Sequence, residues 1–171
     1  MNLYLIGYRA TGKSTVGPLL AQKLGWTVCD SDFEVELLSG KTISEIFDES
    51  GESGFRQWET TVIQAISLKG QQIISLGGGA PTIAENRQLI KKYGVAVLLT
   101  ASPEKIWERL QQDENVRPSL TNMDGLNEVK TLLARRDEAY RECADYSVDT
   151  TKLEPQQVAV QIASWWNSVD K

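Results

Sequence analysis

The sequence predicts an α/β protein of three layers, a central parallel sheet of five strands flanked by helices on both faces, and three observations predict it. Short β-type runs alternate with longer helical stretches along the chain. The 171 residues suffice for one domain with a full hydrophobic core. A composition of 41% hydrophobic and 24% charged residues lies near the globular average, which excludes a disordered or fibrous chain. One domain is therefore expected over residues 1–171.

The elements follow in order. Leu3–Ile6 is the first strand candidate, and after a glycine-containing turn Leu19, Leu20, Ala21 and Leu24 recur at helical spacing, with Gly25 as the stop. Thr27–Cys29 is the second strand. Thr42 with Glu45 reads as a capping box ahead of Ile46 and Phe47. Gln72–Leu76 and Val95–Thr100 are the third and fourth strands, and Ser102-Pro103 is a cap followed by a first-turn proline. Tyr146–Asp149 is the fifth strand, and Pro155 opens a further helix. Between two helical stretches lies Gln111–Asp124, polar, without a sustained period and containing Arg117-Pro118. A loop of that length inside a compact domain is expected to act as a mobile lid, over about 111–124.

Eighteen Lys+Arg against 23 Asp+Glu give a net charge of −5, so the chain lacks the positive field that gathers nucleic acid or anionic membranes, and any anionic ligand must be held locally. No run approaches the roughly 18 apolar residues of a membrane span, and no basic leader precedes Leu3. A cytoplasmic protein without nucleic-acid or membrane partners is expected, and its size favours a monomer. Cys29 and Cys143 read as buried small apolar residues in a reducing compartment. The sequence holds no histidine, which removes the Ser-His-Asp triad and most zinc sites, so proton transfer must use a carboxylate.

Gly7-Tyr8-Arg9-Ala10-Thr11-Gly12-Lys13-Ser14 matches G-x-x-x-x-G-K-[ST] between a strand and a helix. Glycines there let backbone N–H groups curl around phosphate oxygens while the helix N-terminus points its positive end at them. The expected ATP-binding set is Gly7, Arg9, Ala10, Thr11, Gly12, Lys13, Ser14 and Thr15, with Lys13 on the β- and γ-phosphates and Ser14 on Mg²⁺. For Arg9, a phosphate contact and a solvated charge are both open. The fold class becomes a three-layer P-loop fold with a lid.

Asp30-Ser31-Asp32 falls where the second strand emerges, on the edge where parallel sheets place ligands. In extended chain the two acids face opposite ways, so Asp30 can approach the metal and Asp32 a second substrate, where Asp32 is the candidate base.

With these motifs, Gly54-Phe55-Arg56-x-x-Glu59, Gly77-Gly78-Gly79, Arg117-Pro118 and Arg135-Arg136-Asp137-Glu138-Ala139-Tyr140-Arg141 in this order, the chain resembles shikimate kinases over nearly its whole length. The resemblance implies transfer of the γ-phosphoryl group of ATP to the 3-hydroxyl of shikimate, with one Mg²⁺, on a fold similar to nucleoside monophosphate kinases. It implies a shikimate-binding subregion at about 31–61, Arg56 and Arg136 as carboxylate-binding arginines, Asp32 on the ring hydroxyls, and Gly77, Gly78 and Gly79 as the turn that leaves room for the ring. The catalytic set it implies is Lys13, Asp32 and the lid arginine Arg117, which also touches ATP. Arg109 resembles a residue that stacks on adenine, and Lys152 takes that neighbourhood where Leu153 departs from the family's arginine. Asp30, Ser14 and, more weakly, Ser75 form the metal neighbourhood.

Several alternatives stay open on the residues themselves. Arg135 competes with Arg136, since one residue on a helix turns a side chain by about 100°. Phe55 and Trp58 are core or ring wall, and Glu59 positions an arginine. Gluconate kinase is the nearest rival, although its relatives carry a histidine near the second-strand acid and this chain has none. A regulatory module that binds ATP without turnover is the rival from another class.

Overall fold

The computed structural model describes residues 1–112 and 125–169 of the 171. Five strands, β1 (Asn2–Ile6), β2 (Thr27–Asp30), β3 (Gln72–Ser75), β4 (Gly94–Thr100) and β5 (Tyr146–Asp149), form one sheet in the order β2-β3-β1-β4-β5, every pair parallel. Among the described residues seven α-helices join them: α1 (Lys13–Leu24), α2 (Ser31–Ser39), α3 (Ile43–Ser67), α4 (Ala84–Tyr93), α5 (Pro103–Gln112), α6 (Gly125–Cys143) and α7 (Pro155–Ser168). No described helix is long and apolar enough to cross a membrane.

The layers follow from the period of two along a strand. Leu3, Leu5, Ile73, Val97 and Leu99 pack with Val16 and Leu20 of α1 and Val158, Ile162 and Trp166 of α7. Their neighbours Tyr4, Ile6, Ile74, Ala96 and Leu98 pack the other way, with Val62, Ile63 and Ile66 of α3, Ile90 of α4 and Tyr140 and Cys143 of α6. The central strand β1 is buried at all five positions, whereas the edge strand β2 exposes Thr27 and Val28. Both cysteines are free and buried.

The expected element signals hold and their limits shift. Gly25 closes α1 in the left-handed region, its N–H on the Ala21 carbonyl. Thr42 and Glu45 make the capping box of α3. Ser102 Oγ accepts the Lys105 N–H ahead of Pro103, and Pro155 opens α7. The backbone of α3 breaks at Gly51 (φ 64°, ψ −168°), so Gly54–Glu59 begins the second limb, as a segment that opens a helix should. Gln111 and Gln112, expected in the loop, close α5 instead, because Ile106 anchors that helix on Val129 and Leu132 of α6. The lid expected over 111–124, with Arg117, otherwise lies outside the described residues.

Trp166 is 3% exposed and meets Trp26 edge-on, ring centroids 5.1 Å apart, joining α7 to the end of α1. Trp166→Ala is expected to remove about 3–5 kcal/mol of unfolding free energy in urea titrations, and Trp166→Phe less than half of that.

Candidate functional site

All five strands end on one side of the sheet, and the described candidate residues gather there, at the ends of β1, β2 and β3 and on the helices above them. Gly7 leaves β1 at φ 136°, and a methyl group in its place would lie 2.3 Å from the Leu99 carbonyl oxygen, so the turn requires glycine. Gly12 caps α1 at φ 102° with no side chain over the helix N-terminus, which leaves the first turn open to an anion. Lys13 Nζ donates to the Gly7 and Tyr8 carbonyls, each at 2.8 Å, and Thr11 Oγ1 donates to the Tyr8 carbonyl at 2.8 Å, so the lysine lies along the loop it serves. Ser14 and Thr15 are exposed on the first turn of α1.

Arg9 is no solvated charge. Its Nη2 donates to Glu128 Oε1 at 2.5 Å, and Glu128, in the first turn of α6, is 2% exposed. Ala10 takes a positive φ of 60°, and its carbonyl accepts Arg109 Nη1 at 3.1 Å. The same guanidinium donates to Thr150 Oγ1 at 3.1 Å and to the Thr150 carbonyl at 2.8 Å. Thr150 Oγ1 in turn reaches the Thr11 and Thr100 carbonyls, each at 3.0 Å. Arg109 is thus tied edge-on to the phosphate loop and to the turn after β5. In that turn Lys152 is exposed, while Leu153 is partly buried against the α1–α7 core.

The acids after β2 divide differently from the extended-chain expectation. Asp30 is the N-cap of α2, its Oδ1 accepting the N–H groups of Asp32 at 2.9 Å and Phe33 at 3.3 Å. Asp32 therefore belongs to the first helical turn, and the cap rather than strand alternation sets its direction. A methyl group on Gly77 would lie 2.6 Å from Asp32 Oδ1 and 2.9 Å from Glu59 Oε1, which puts both carboxylates against the glycine turn. On Gly78 it would lie 3.4 Å from Arg136 Nη1 and 3.5 Å from Arg9 N, and on Gly79 only 2.1 Å from Arg56 Nη2. Any side chain on Gly77 or Gly79 would displace these groups. Arg136 faces this turn while Arg135 is exposed. Ser75, expected near the metal, is buried in the ladder opposite Asp30 and Leu5.

Arg56 donates Nη1 to Glu59 Oε2 at 2.8 Å, and Nε and Nη2 to Glu52 Oε1 at 3.3 and 3.0 Å. Burial disfavours its charge, but Glu59 and Glu52 outweigh that and hold it above the ordinary arginine value. Glu59 is 1% exposed and its Oε1 has no hydrogen-bond partner among the described residues. Desolvation pushes its carboxyl up to about 7, with Asp32 adding to the rise and Arg56 and Arg136 opposing it. Phe55 is core, its ring 5.1 Å from that of Phe47, whereas Trp58 is 36% exposed and is not core, since it lies on the outer side of the same helix.

Four residues of this arrangement escape a reading of sequence alone. Glu128 and Thr150 stand out by no motif, and both act on partners more than 100 residues away. Ser31 and Tyr140 sit inside motifs already singled out, yet nothing in their spacing tells that Ser31 Oγ accepts the Gly77 N–H at 3.0 Å and that Tyr140 donates to the Gly78 carbonyl at 2.6 Å.

Comparison with known proteins shows the family. The family model for shikimate kinase matches residues 9–167. A shikimate kinase of Thermodesulfovibrio yellowstonii is 44% identical over 161 residues, 94% of this chain and 92% of that protein. One of Burkholderia lata is 40% identical over 149 residues, 87% of this chain and 80% of that one. Among solved structures, shikimate kinase from Acinetobacter baumannii in complex with shikimate superposes with a TM-score of 0.90 at 37% identity, over 99% of this chain and 95% of that one. The Aquifex aeolicus enzyme gives 0.81 at 34% identity, over 98% and 96%.

Glu59 makes the stability of the ligand-free protein pH-dependent with a definite sign. Its folded-state pKa of about 7 stands above the ordinary 4.5, so between those values the folded chain keeps a proton that the unfolded chain has released. The contribution is complete below pH 4.5 and is lost as pH rises through 7. Glu59→Gln should flatten this part of the profile by on the order of 2 kcal/mol between pH 5 and pH 7.5, measured by urea denaturation of both proteins.

Proposed function

The chain belongs to the shikimate kinase family, and from that premise we propose that it transfers the γ-phosphoryl group of ATP to the 3-hydroxyl of shikimate, releasing ADP. The observation that carries this is the gathering of Asp32, Arg56 and Arg136 around Gly77–Gly79, a turn that itself lies against the backbone of Gly7 and Arg9. A phosphate cradle and a pocket with two guanidinium groups and a carboxylate thus share one wall. That is the chemistry of a small hydroxy acid receiving a phosphoryl group.

In this reading the open N-terminus of α1, the Gly7–Ser14 backbone, Thr15 and Lys13 hold the phosphates, with Lys13 leaving the Gly7 and Tyr8 carbonyls to meet the β- and γ-oxygens. Arg56 and Arg136 take the shikimate carboxylate. Asp32 orients the 3-hydroxyl and accepts its proton as the oxygen attacks phosphorus, and ADP leaves with the bridging oxygen's electrons. Arg117, in the segment between α5 and α6, meets the transferring group and excludes water. Arg109, held edge-on by Ala10 and Thr150, keeps a face for adenine, with Lys152 beside it.

No cluster of three or more Asp, Glu, Cys or His side chains able to grip a metal occurs among the described residues. The exposed Ser14 hydroxyl and the Asp30 carboxylate, whose Oδ2 is not used by the helix cap, suit instead a Mg²⁺ that is coordinated mainly by phosphate and water. That ion would supply charge neutralisation across the phosphates, and Ser14 and Asp30 would hold it. We take the chain to be one kinase unit over 1–171, with the shikimate-binding part at about 31–61, acting as a cytoplasmic monomer; its two buried free cysteines and its negative charge support that setting.

The decisive experiment is MgATP-dependent ADP release with shikimate, gluconate or no acceptor, with mass detection of the phosphorylated acid. ADP and shikimate phosphate are expected together and only with shikimate; ADP release independent of shikimate would overturn the reading. Lys13→Ala and Asp32→Asn are each expected to lower turnover by more than about tenfold while far-UV circular dichroism stays unchanged. Arg136→Ala should chiefly raise the shikimate KM, whereas Arg135→Ala should leave it within about twofold.

A further inference from the structure

The glycine turn after β3 is held by groups on its far side, one peptide after another. The fully buried Ser31 accepts the Gly77 N–H, and the Gly77 carbonyl accepts the Ala80 N–H at 3.0 Å. The Gly78 carbonyl accepts the Tyr140 hydroxyl at 2.6 Å, and the Gly79 carbonyl accepts the Thr82 N–H at 3.0 Å and its hydroxyl at 2.6 Å. Every peptide here is trans, so each carbonyl and the N–H that follows it point in opposite directions. Tyr140 lies in the core, 3% exposed, and the Gly79 N–H is therefore aimed away from the core. Neither the Gly78 nor the Gly79 N–H meets an acceptor among the described residues. Arg136 and Arg56 stand against the α-carbons of Gly78 and Gly79.

We propose that Tyr140 is a positioning residue for the acceptor: its hydroxyl locks the Gly78–Gly79 peptide so that the Gly79 N–H joins Arg56 and Arg136 on the acceptor's carboxylate. Without a side chain of its own, a glycine peptide can flip, and a flipped Gly78–Gly79 peptide would present a carbonyl oxygen to that anion. Tyr140 suits the task because burial pushes its phenol up to about 12, which keeps it a donor at neutral pH. It also stands one helical turn from Arg136 on α6, so the lock and one guanidinium are carried by the same rigid element.

The inference rests on the shikimate reading, and the test separates the two. Wild type and Tyr140→Phe are assayed at 10 °C with shikimate and with the analogue in which a hydroxymethyl group replaces the carboxylate, and KM for each acceptor and for ATP is compared. Tyr140→Phe should raise the shikimate KM about tenfold while leaving the analogue and ATP values within about twofold. A shikimate KM within twofold of wild type, or KM values shifted equally for both acceptors, would overturn the proposal. Partial unfolding would instead lower kcat for both acceptors at unchanged KM, which also counts against it. Wild-type ADP release without shikimate dependence would overturn the reading beneath it.

Discussion

The parallel pairing of β1 with β3 is the constraint on which the rest depends. Leu5 lies opposite Ser75, and the Leu76 N–H still reaches the Leu5 carbonyl at 3.1 Å, so both strands end at the same level. Their following turns, Gly7–Gly12 and Gly77–Gly79, then have to lie side by side. They meet at Gly78, where a methyl group would lie 3.5 Å from the Gly7 carbonyl oxygen and 3.5 Å from Arg9 N. The glycine-rich loop after β1 and the glycine turn after β3 become neighbours through strand register, before any candidate side chain is considered. In the proposed reading, the distance between phosphoryl donor and acceptor is thus set by the central strands of the sheet.

Charge is handled locally in a chain whose net charge is −5. Arginines at the site are held in place by acids that are themselves buried: Arg56 by Glu59, which is 1% exposed, and Arg9 by Glu128, which is 2% exposed. Burial makes such acids costly to ionise, and Glu59 shows it in a carboxyl pushed up to about 7. The Arg56 and Arg9 guanidinium groups are thereby fixed in position before any ligand arrives. The same arrangement removes much of the ordering entropy that a free surface arginine would lose on binding.

Two longer connections tie the phosphate loop to the rest of the sheet edge. Arg109 and Thr150 join it to the ends of β4 and β5, and Arg9 joins it to the beginning of α6, the helix that also carries Arg136 and Tyr140. The glycine-rich loop is in this way fastened to the helix that faces the glycine turn after β3. These ties end on backbone carbonyls, the buried Thr150 hydroxyl and a buried acid.

Sequence by itself determined the α/β class, the five strands to within one residue at either end, the helix caps at Thr42, Ser102 and Gly25, and the phosphate loop. These are legible because they depend on near neighbours: strand alternation, capping side chains and glycines at positive φ act over a few residues. The candidate residues Asp32, Arg56, Gly77–Gly79 and Arg136 were also legible, through the order of their motifs. Only the tertiary structure decided that Asp30 caps α2 and turns Asp32 to the glycine turn, that Arg136 and not Arg135 faces it, that Arg9 is bound to Glu128, and that Ser31 and Tyr140 grip the turn from behind. The Asp30 cap acts over two to three residues, but the other facts rest on contacts between residues 46 to 119 positions apart and on the rotation of a helix about its axis. A local pattern cannot encode either, because both are fixed by how the helices pack on the sheet.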